Sequence, residues 1–206
     1  GDRRGIDVAL IYRTEVFDKV GEALMTPEFE GEKMNTRDIL TVKLRRRSDG
    51  VSFDFIVNHH PSKFGGSKAS EGRRTVVMKS LSELCDSLLK SPERAGIVAM
   101  GDFNDNPDGE QFALLDGILV NKAGLLHEKE EGTIRYEGKW DLIDMFMTSP
   151  DLAVRSEMYI ERVPFLMMRE RKHPGEKPFR TYSGPRYIGG VSDHCPIILW
   201  ISESNS

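Results

Sequence analysis

The apolar and alternating stretches of this chain end on residues that bind protons, metals or phosphates. Residues 51–57 alternate, with Val51, Phe53, Phe55 and Val57 on one face, and run into Asn58-His59. Residues 96–100 form a short apolar run after a helical pattern and end at Gly101-Asp102-Phe103-Asn104. Leu142-Ile143 and Met145-Phe146-Met147 enclose one carboxylate, Asp144. Ser192-Asp193-His194-Cys195 precedes a closing apolar strand over residues 196–201. Strand pairs with a helix after each block indicate α+β or mixed α/β layers.

The remaining pattern fills in that frame. Residues 6–12 read as a strand already inside a domain, with Val8, Leu10 and Tyr12 on one face. Residues 25–37 read as a loop, and residues 38–46 as a strand joined to 51–57 by the turn signal Ser48-Asp49-Gly50. Ser70 offers an N-cap for a helix over 71–89, whose face carries Val76, Val77, Leu81, Leu84 and Leu88. Residues 109–115 suggest a short helix, 132–136 and 142–148 a hairpin pair, and 154–163 a strand. Residues 164–186 form a long insertion rich in Arg, Lys and Pro.

Composition narrows the function classes. The 206 residues suffice for one domain with a substantial core. Lys plus Arg is 29 and Asp plus Glu is 33, a net charge of −4. That balance argues against a general nucleic-acid coating protein but leaves room for a local basic groove. No apolar run reaches membrane-spanning length, so no transmembrane segment is expected. Cys85 and Cys195 read as two buried thiols. The chain opens on Gly1 without an initiating Met, which reads as a tag scar, and no signal peptide is visible; secretion is left open.

Each acceptor string has two readings. Asp102 and Asn104, two apart, share one face in extended backbone and can together orient a water and hold a phosphate oxygen; the same residues, followed by Asp105-Asn106-Pro107, also spell an Asx-rich turn. Asp193 beside His194 can hold the imidazole or bind a metal, or merely cap a turn. Asp144 belongs to a cleft, or to the exposed face of an edge strand. His59 can serve as a general acid, or be a satisfied histidine at a strand end, with His60 facing away as a structural residue.

Taken in order, Asn58-His59, Gly101-Asp102-Phe103-Asn104, Ile143-Asp144 and Ser192-Asp193-His194-x-Pro196 resemble the endonuclease/exonuclease/phosphatase superfamily, the deoxyribonuclease I-like fold. The resemblance runs over about 5–200. Two local strings are similar to a bacterial, Bacteroidetes-type branch whose members are often exported: Asn58-His59-x-Pro61-Ser62-Lys63-x-Gly65-Gly66, and Arg180-Thr181-Tyr182-x-Gly184-x-x-Tyr187-x-Gly189-Gly190. The resemblance implies a four-layer α-β-β-α sandwich of two packed mixed sheets, and phosphoester hydrolysis assisted by Mg²⁺ or Mn²⁺. It implies that Asp102 orients or deprotonates the attacking water and that Asn104 binds the phosphate. His194 would stabilise the transition state, with Asp193 near the metal and Asp102 as a further ligand. Asp144 would orient His59 or join the metal shell, and His59 would assist the leaving group. For the parent protein it sets the expectation of periplasm or cell surface.

One departure stands out. The family carries an Asn and its principal metal-binding Glu on two strands ahead of the equivalent of Gly5. This chain has a single Gln, Gln111, and no Gln-Glu pair. The expectation is therefore a single domain, 1–206, lacking its first strands, incomplete at the N-terminus, with the Glu upstream of residue 1. Its open sheet edges would favour an oligomer. Two functions stay open: a metal-dependent phosphoesterase, or a binding module that keeps the sandwich without the metal.

For the substrate, a phosphate ester with nucleic acid among the candidates, Arg73, Arg180 and Tyr182 are the candidate contacts. Lys63, Lys68 and Arg74 flank the His59 loop, and Arg169, Arg171, Lys172 and Lys177 crowd the insertion. That crowd is a solvated face or a substrate contact. Trp140 is expected to pack the hairpin, and Phe165-Leu166-Met167-Met168 to be core, or a lid or lipid contact.

Overall fold

A computed structural model describes residues 5–62, 67–91 and 95–203. Gly1 to Arg4, Lys63, Gly65, Gly66 and the side chains of Lys68 and Ser70 lie outside the described residues. The frame is a six-stranded mixed sheet. Its strands are β1 (Phe17–Met25), β2 (Ile39–Arg46), β3 (Ser52–His59), β4 (Gly96–Asp102), β5 (Val120–Asn121) and β6 (Asp144–Thr148). They run in the order β1-β2-β3-β4-β6-β5, with β3 and β4 parallel and every other pair antiparallel. A second, two-stranded antiparallel sheet joins β7 (Ser156–Ile160) to β8 (Ile197–Ile201). The large mixed sheet with few helices is the expected α/β class.

The crossover that makes β3 and β4 parallel is the helix α1 (Ser67–Lys90). Strand alternation gives the sheet two unlike faces. One carries Ile56, Ile97, Ala99, Met145 and Met147 against Val77, Met78, Leu81 and Cys85 of α1, all essentially buried. The other carries Phe53, Phe55, Val98 and Phe146 and packs on Leu199 and Ile201 of β8. By register, His59, Asp102 and Asp144 belong to this second face, at one end of three neighbouring strands.

Several expectations need correction. Residues 6–12 form no strand; Ile11 is 96% exposed, so apolar alternation there has no surface to pack on. The edge strand beside β2 is β1, whose pattern is obscured by a bulge between Lys19 and Gly21. Residues 132–136 and 142–148 do not pair with each other. Ile134–Tyr136 pairs with Lys139–Asp141 across a tight turn, which frees β6 to enter the main sheet between β4 and β5. The insertion is also more ordered than its composition suggests. It holds two short hairpins, Met167–Arg169 with Glu176–Pro178 and Tyr182–Ser183 with Arg186–Tyr187. Phe165 is 71% exposed rather than core. Both cysteines are free and buried, as read.

Candidate active site

The ladder itself delivers three of the polar side chains. His59 lies opposite Asp102 across the parallel pair, and Asp144 lies opposite Asp102 across the antiparallel one. Gly101 permits this. Its φ is +136°, and a Cβ there would sit 1.9 Å from the Asn58 carbonyl oxygen, so no other residue fits. Immediately after it the chain turns. Asn104, at φ +51°, donates its backbone N–H to Asp102 Oδ1 at 2.8 Å. Its side-chain Nδ2 donates to the His60 carbonyl at 2.9 Å and approaches His59 Nε2 at 3.5 Å, while His59 Nε2 lies 3.6 Å from Asp102 Oδ2.

The turn reading of the Asx-rich string holds for Asp105 and Asn106. Asp105 accepts from Gln111 at 2.8 Å and faces the buried Arg74 guanidinium at 3.5 Å. Asn106 bonds Asp141 and the Leu142 backbone N–H at 3.1 and 2.8 Å. Asp105 and Asn106 therefore fasten the turn down while Asp102 and Asn104 stay at the strand end. His60 is fully buried against Phe103, ring centroids 4.9 Å apart, and burial drives its pKa down to about 3. It is a neutral core residue.

His194 arrives from a different element. It bridges to Ile134, and the next backbone N–H, of Cys195, donates to the Thr133 carbonyl at 2.7 Å. This seats the ring so that Nδ1 lies 2.7 Å from Asp144 Oδ2, which also accepts from the Thr133 hydroxyl at 2.5 Å. Asp102, Asp144 and His194 offer ligand atoms all within 4.8 Å of one another, each half-buried.

The electrostatics of this group follow from its crowding. Burial pushes the Asp102 carboxyl up to about 6, and the like charge of Asp144 adds to that; His194, the Asn104 N–H and Arg37 pull it back. Burial opposes charge on His194, but the Asp144 hydrogen bond, with the fields of Asp144, Asp102 and Asp193, overrides it and holds its pKa up at about 9. His194 is thus an imidazolium at neutral pH.

Asp193 stands outside the group. Burial alone would raise its carboxyl, yet a 2.6 Å hydrogen bond from Arg180 Nη2, with His194 close by, keeps it below the ordinary value. Tyr182 is 56% exposed, edge-on to Tyr187 at 5.6 Å. Arg73, exposed on α1, lines a separate cleft with Pro61, Lys33 and Asn35. Trp140 holds the Arg162 guanidinium over its ring at 4.6 Å, beside Arg135 at 5.5 Å. Two contributors were invisible in sequence. Thr133 is one plain threonine just ahead of a short strand, and Arg37 sits at a loop end.

The donor set suits a hard divalent cation. It supplies two carboxylates, placed opposite each other so that their repulsion is relieved by a positive charge, with the His194 imidazolium beside them. A family model described as endonuclease/exonuclease/phosphatase family matches residues 1–203. Among solved structures, a mannosyl-6-phosphatase of Bacteroides thetaiotaomicron superposes with a TM-score of 0.62 at 16% identity, over 93% of this chain and 69% of that one. The catalytic domain of human nocturnin, with bound sulfate, gives 0.56 at 16%, over 91% and 62%. Truncated Caenorhabditis elegans TDP2 gives 0.55 at 14%, over 90% and 66%. At such identities these likenesses concern the fold alone, and the chain spans 62 to 69% of those proteins' length. No curated protein matches it.

Proposed function

This chain belongs to the endonuclease/exonuclease/phosphatase family, and we propose that it contributes the catalytic end of a metal-dependent phosphoester hydrolase. The observation that carries the reading is the convergence of Asp102, Asp144 and His194 within 4.8 Å at the end of β4 and β6, with Asn104 and His59 beside them. Scattered surface carboxylates do not combine such crowding with burial and a carboxyl raised to about 6.

The roles follow from the chemistry of each group. Asp102, ionised above about 6, accepts a proton from the attacking water. His194, cationic below about 9 and with Nδ1 committed to Asp144, has Nε2–H to give to a phosphate oxygen as charge builds there. Asp144 holds the Nδ1 proton and fixes the ring orientation, as a carboxylate behind a catalytic imidazole does. Asn104 offers an amide donor to a phosphate oxygen, and His59 a proton to the departing alkoxide. Asp102 and Asp144 are the residues placed to hold Mg²⁺ or Mn²⁺, with Asp193 available if Arg180 releases it. A bound divalent ion supplies Lewis-acid stabilisation of the phosphoryl oxygens and lowers the pKa of water.

Phosphodiester and phosphomonoester substrates both fit this description; one similar structure is a mannosyl-6-phosphatase. The test is hydrolysis of bis-p-nitrophenyl phosphate and p-nitrophenyl phosphate with Mg²⁺ or Mn²⁺, with excess EDTA, and with His194→Ala. The expected result is turnover of one ester, abolished by EDTA and cut about 100-fold or more in the variant. Turnover that is indifferent to EDTA and to His194→Ala contradicts the proposal.

A further inference from the structure

The hairpins of the 167–187 arm enclose a cleft of about 820 Å³ that none of the proposed chemistry uses. Six cationic side chains line it: Arg169, Arg171, Lys172, Lys177, Arg180 and Arg186. The one carboxylate on its wall, Glu170, is buried and already faces Lys177 at 3.5 Å and Arg135 at 3.7 Å. Arg169, Arg171, Lys172 and Arg186 are exposed and have no acidic partner among the described residues. A chain of net charge −4 has thus gathered unpaired cations onto one concave surface. Cations on a convex surface are individually solvated, whereas a concave low-dielectric wall sums their fields.

Two further features connect this cleft to a ligand. Arg180 lines it and at the same time donates to Asp193, the residue before His194, so one side chain ties the cleft wall to the neighbour of a proposed catalytic residue. Tyr187 also lines it, its ring edge-on to Tyr182, and both rings are more than half exposed. Exposed aromatics beside a row of cations form a platform for a flat or sugar moiety joined to phosphate.

We propose that this cleft is a second anion subsite, which holds a phosphate of the substrate other than the one addressed by Asp102 and His194. The inference rests on the phosphoester reading above and narrows it to substrates carrying at least two phosphates. Guanidinium and ammonium donors match phosphate oxygens, and several of them together select a polyanion over a monoester. Such a second phosphate comes either from a phosphodiester strand or from a bisphosphorylated small molecule.

The test is a binding measurement without metal, so that it stands apart from turnover. Fluorescence anisotropy of a labelled oligothymidylate is followed in EDTA across a salt series, with glucose 1,6-bisphosphate and glucose 6-phosphate as competitors. The proteins are the wild type, the triple variant Arg171→Glu/Lys172→Glu/Arg186→Glu, and Lys79→Glu on exposed α1 surface as a charge control. All three are checked for fold by circular dichroism. The wild type should bind, and the triple variant should lose at least about tenfold in affinity while Lys79→Glu stays within about twofold. Its log–log salt slope should flatten by about 0.7 per cation removed. Displacement by the bisphosphate but not the monophosphate indicates a small-molecule source; no displacement by either indicates a strand. Absence of binding by the wild type, or equal binding by the triple variant, overturns the subsite. So does loss of bis-p-nitrophenyl phosphate hydrolysis in the triple variant, because that ester has a single phosphate.

Discussion

The catalytic end and the cationic arm are built on opposite principles. On one side His59, Asp102 and Asp144 occupy paired positions of a sheet, and their spacing is fixed by backbone hydrogen bonds made whatever the side chains are. On the other side the 167–187 arm rests on two short hairpins, and its cations reach out from exposed backbone. The first region is rigid and intolerant of change; the second can vary without disturbing the sheet. Under the proposed function, chemistry placed on the ladder and recognition on the arm would let one fold serve different phosphoesters.

The sharpest contrast lies between two glycines of positive φ. A Cβ on Gly101 would sit 1.9 Å from a backbone oxygen of β3, whereas one on Gly184, at φ +58°, meets nothing within 4 Å. Gly101→Ala should therefore cost roughly 3 kcal/mol or more, or prevent folding. Gly184→Ala should cost only about 1 kcal/mol, the ordinary cost of left-handed backbone. Urea unfolding of both variants measures the difference, and equal costs would break the comparison.

Next in size is Asp144→Asn. It keeps the shape but removes the charge that holds His194 protonated, so the His194 pKa should fall from about 9 toward 6.5, read by NMR titration of the ring. Phosphoester hydrolysis should fall about 100-fold. No equally conservative change on the arm should move that pKa.

The pH dependence of stability carries a defined sign. His194 binds its proton more tightly folded than unfolded, about 9 against 6.5, so its contribution is complete below 6.5 and lost as pH rises through about 9. Asp102 is raised from 3.8 to about 6, so its ionisation costs the folded state stability as pH rises across that lower window. In EDTA the melting temperature should decline between pH 6.5 and 9, reflecting on the order of a few kcal/mol, and His194→Ala should flatten that decline. A melting temperature that climbs over this window would contradict the assignment.

The smallest effect is expected at Thr133. Replacing it with Val leaves Asp144 one donor short, which should cost about 1 kcal/mol of stability and lower the His194 pKa only slightly.

How far the sequence revealed this arrangement depended on where each signal was local. Residues 52–59 and 96–102 were legible because strand alternation and an apolar run both stop abruptly on polar residues. Asp144 was noticed because a charge inside an apolar stretch needs a reason. Its partner was not legible: the Thr133 hydroxyl and the His194 ring meet it only after 134–141 closes on itself, and a hairpin drawn between 132–136 and 142–148 misplaces all three. Arg37 carries no local mark at all; its effect on Asp102 exists only through the fold. The arm was recognised by composition, but composition cannot distinguish cations spread over a surface from cations gathered into a cleft.

The claim that most needs testing is that Asp102 and Asp144 hold a divalent cation in one catalytic group with His194. Calorimetric titration of Mn²⁺ into the wild type, Asp102→Asn and Asp144→Asn addresses it directly. The account predicts saturable binding by the wild type that weakens at least about tenfold in each variant. Binding that is unaltered by either substitution, or absent from the wild type, would contradict it.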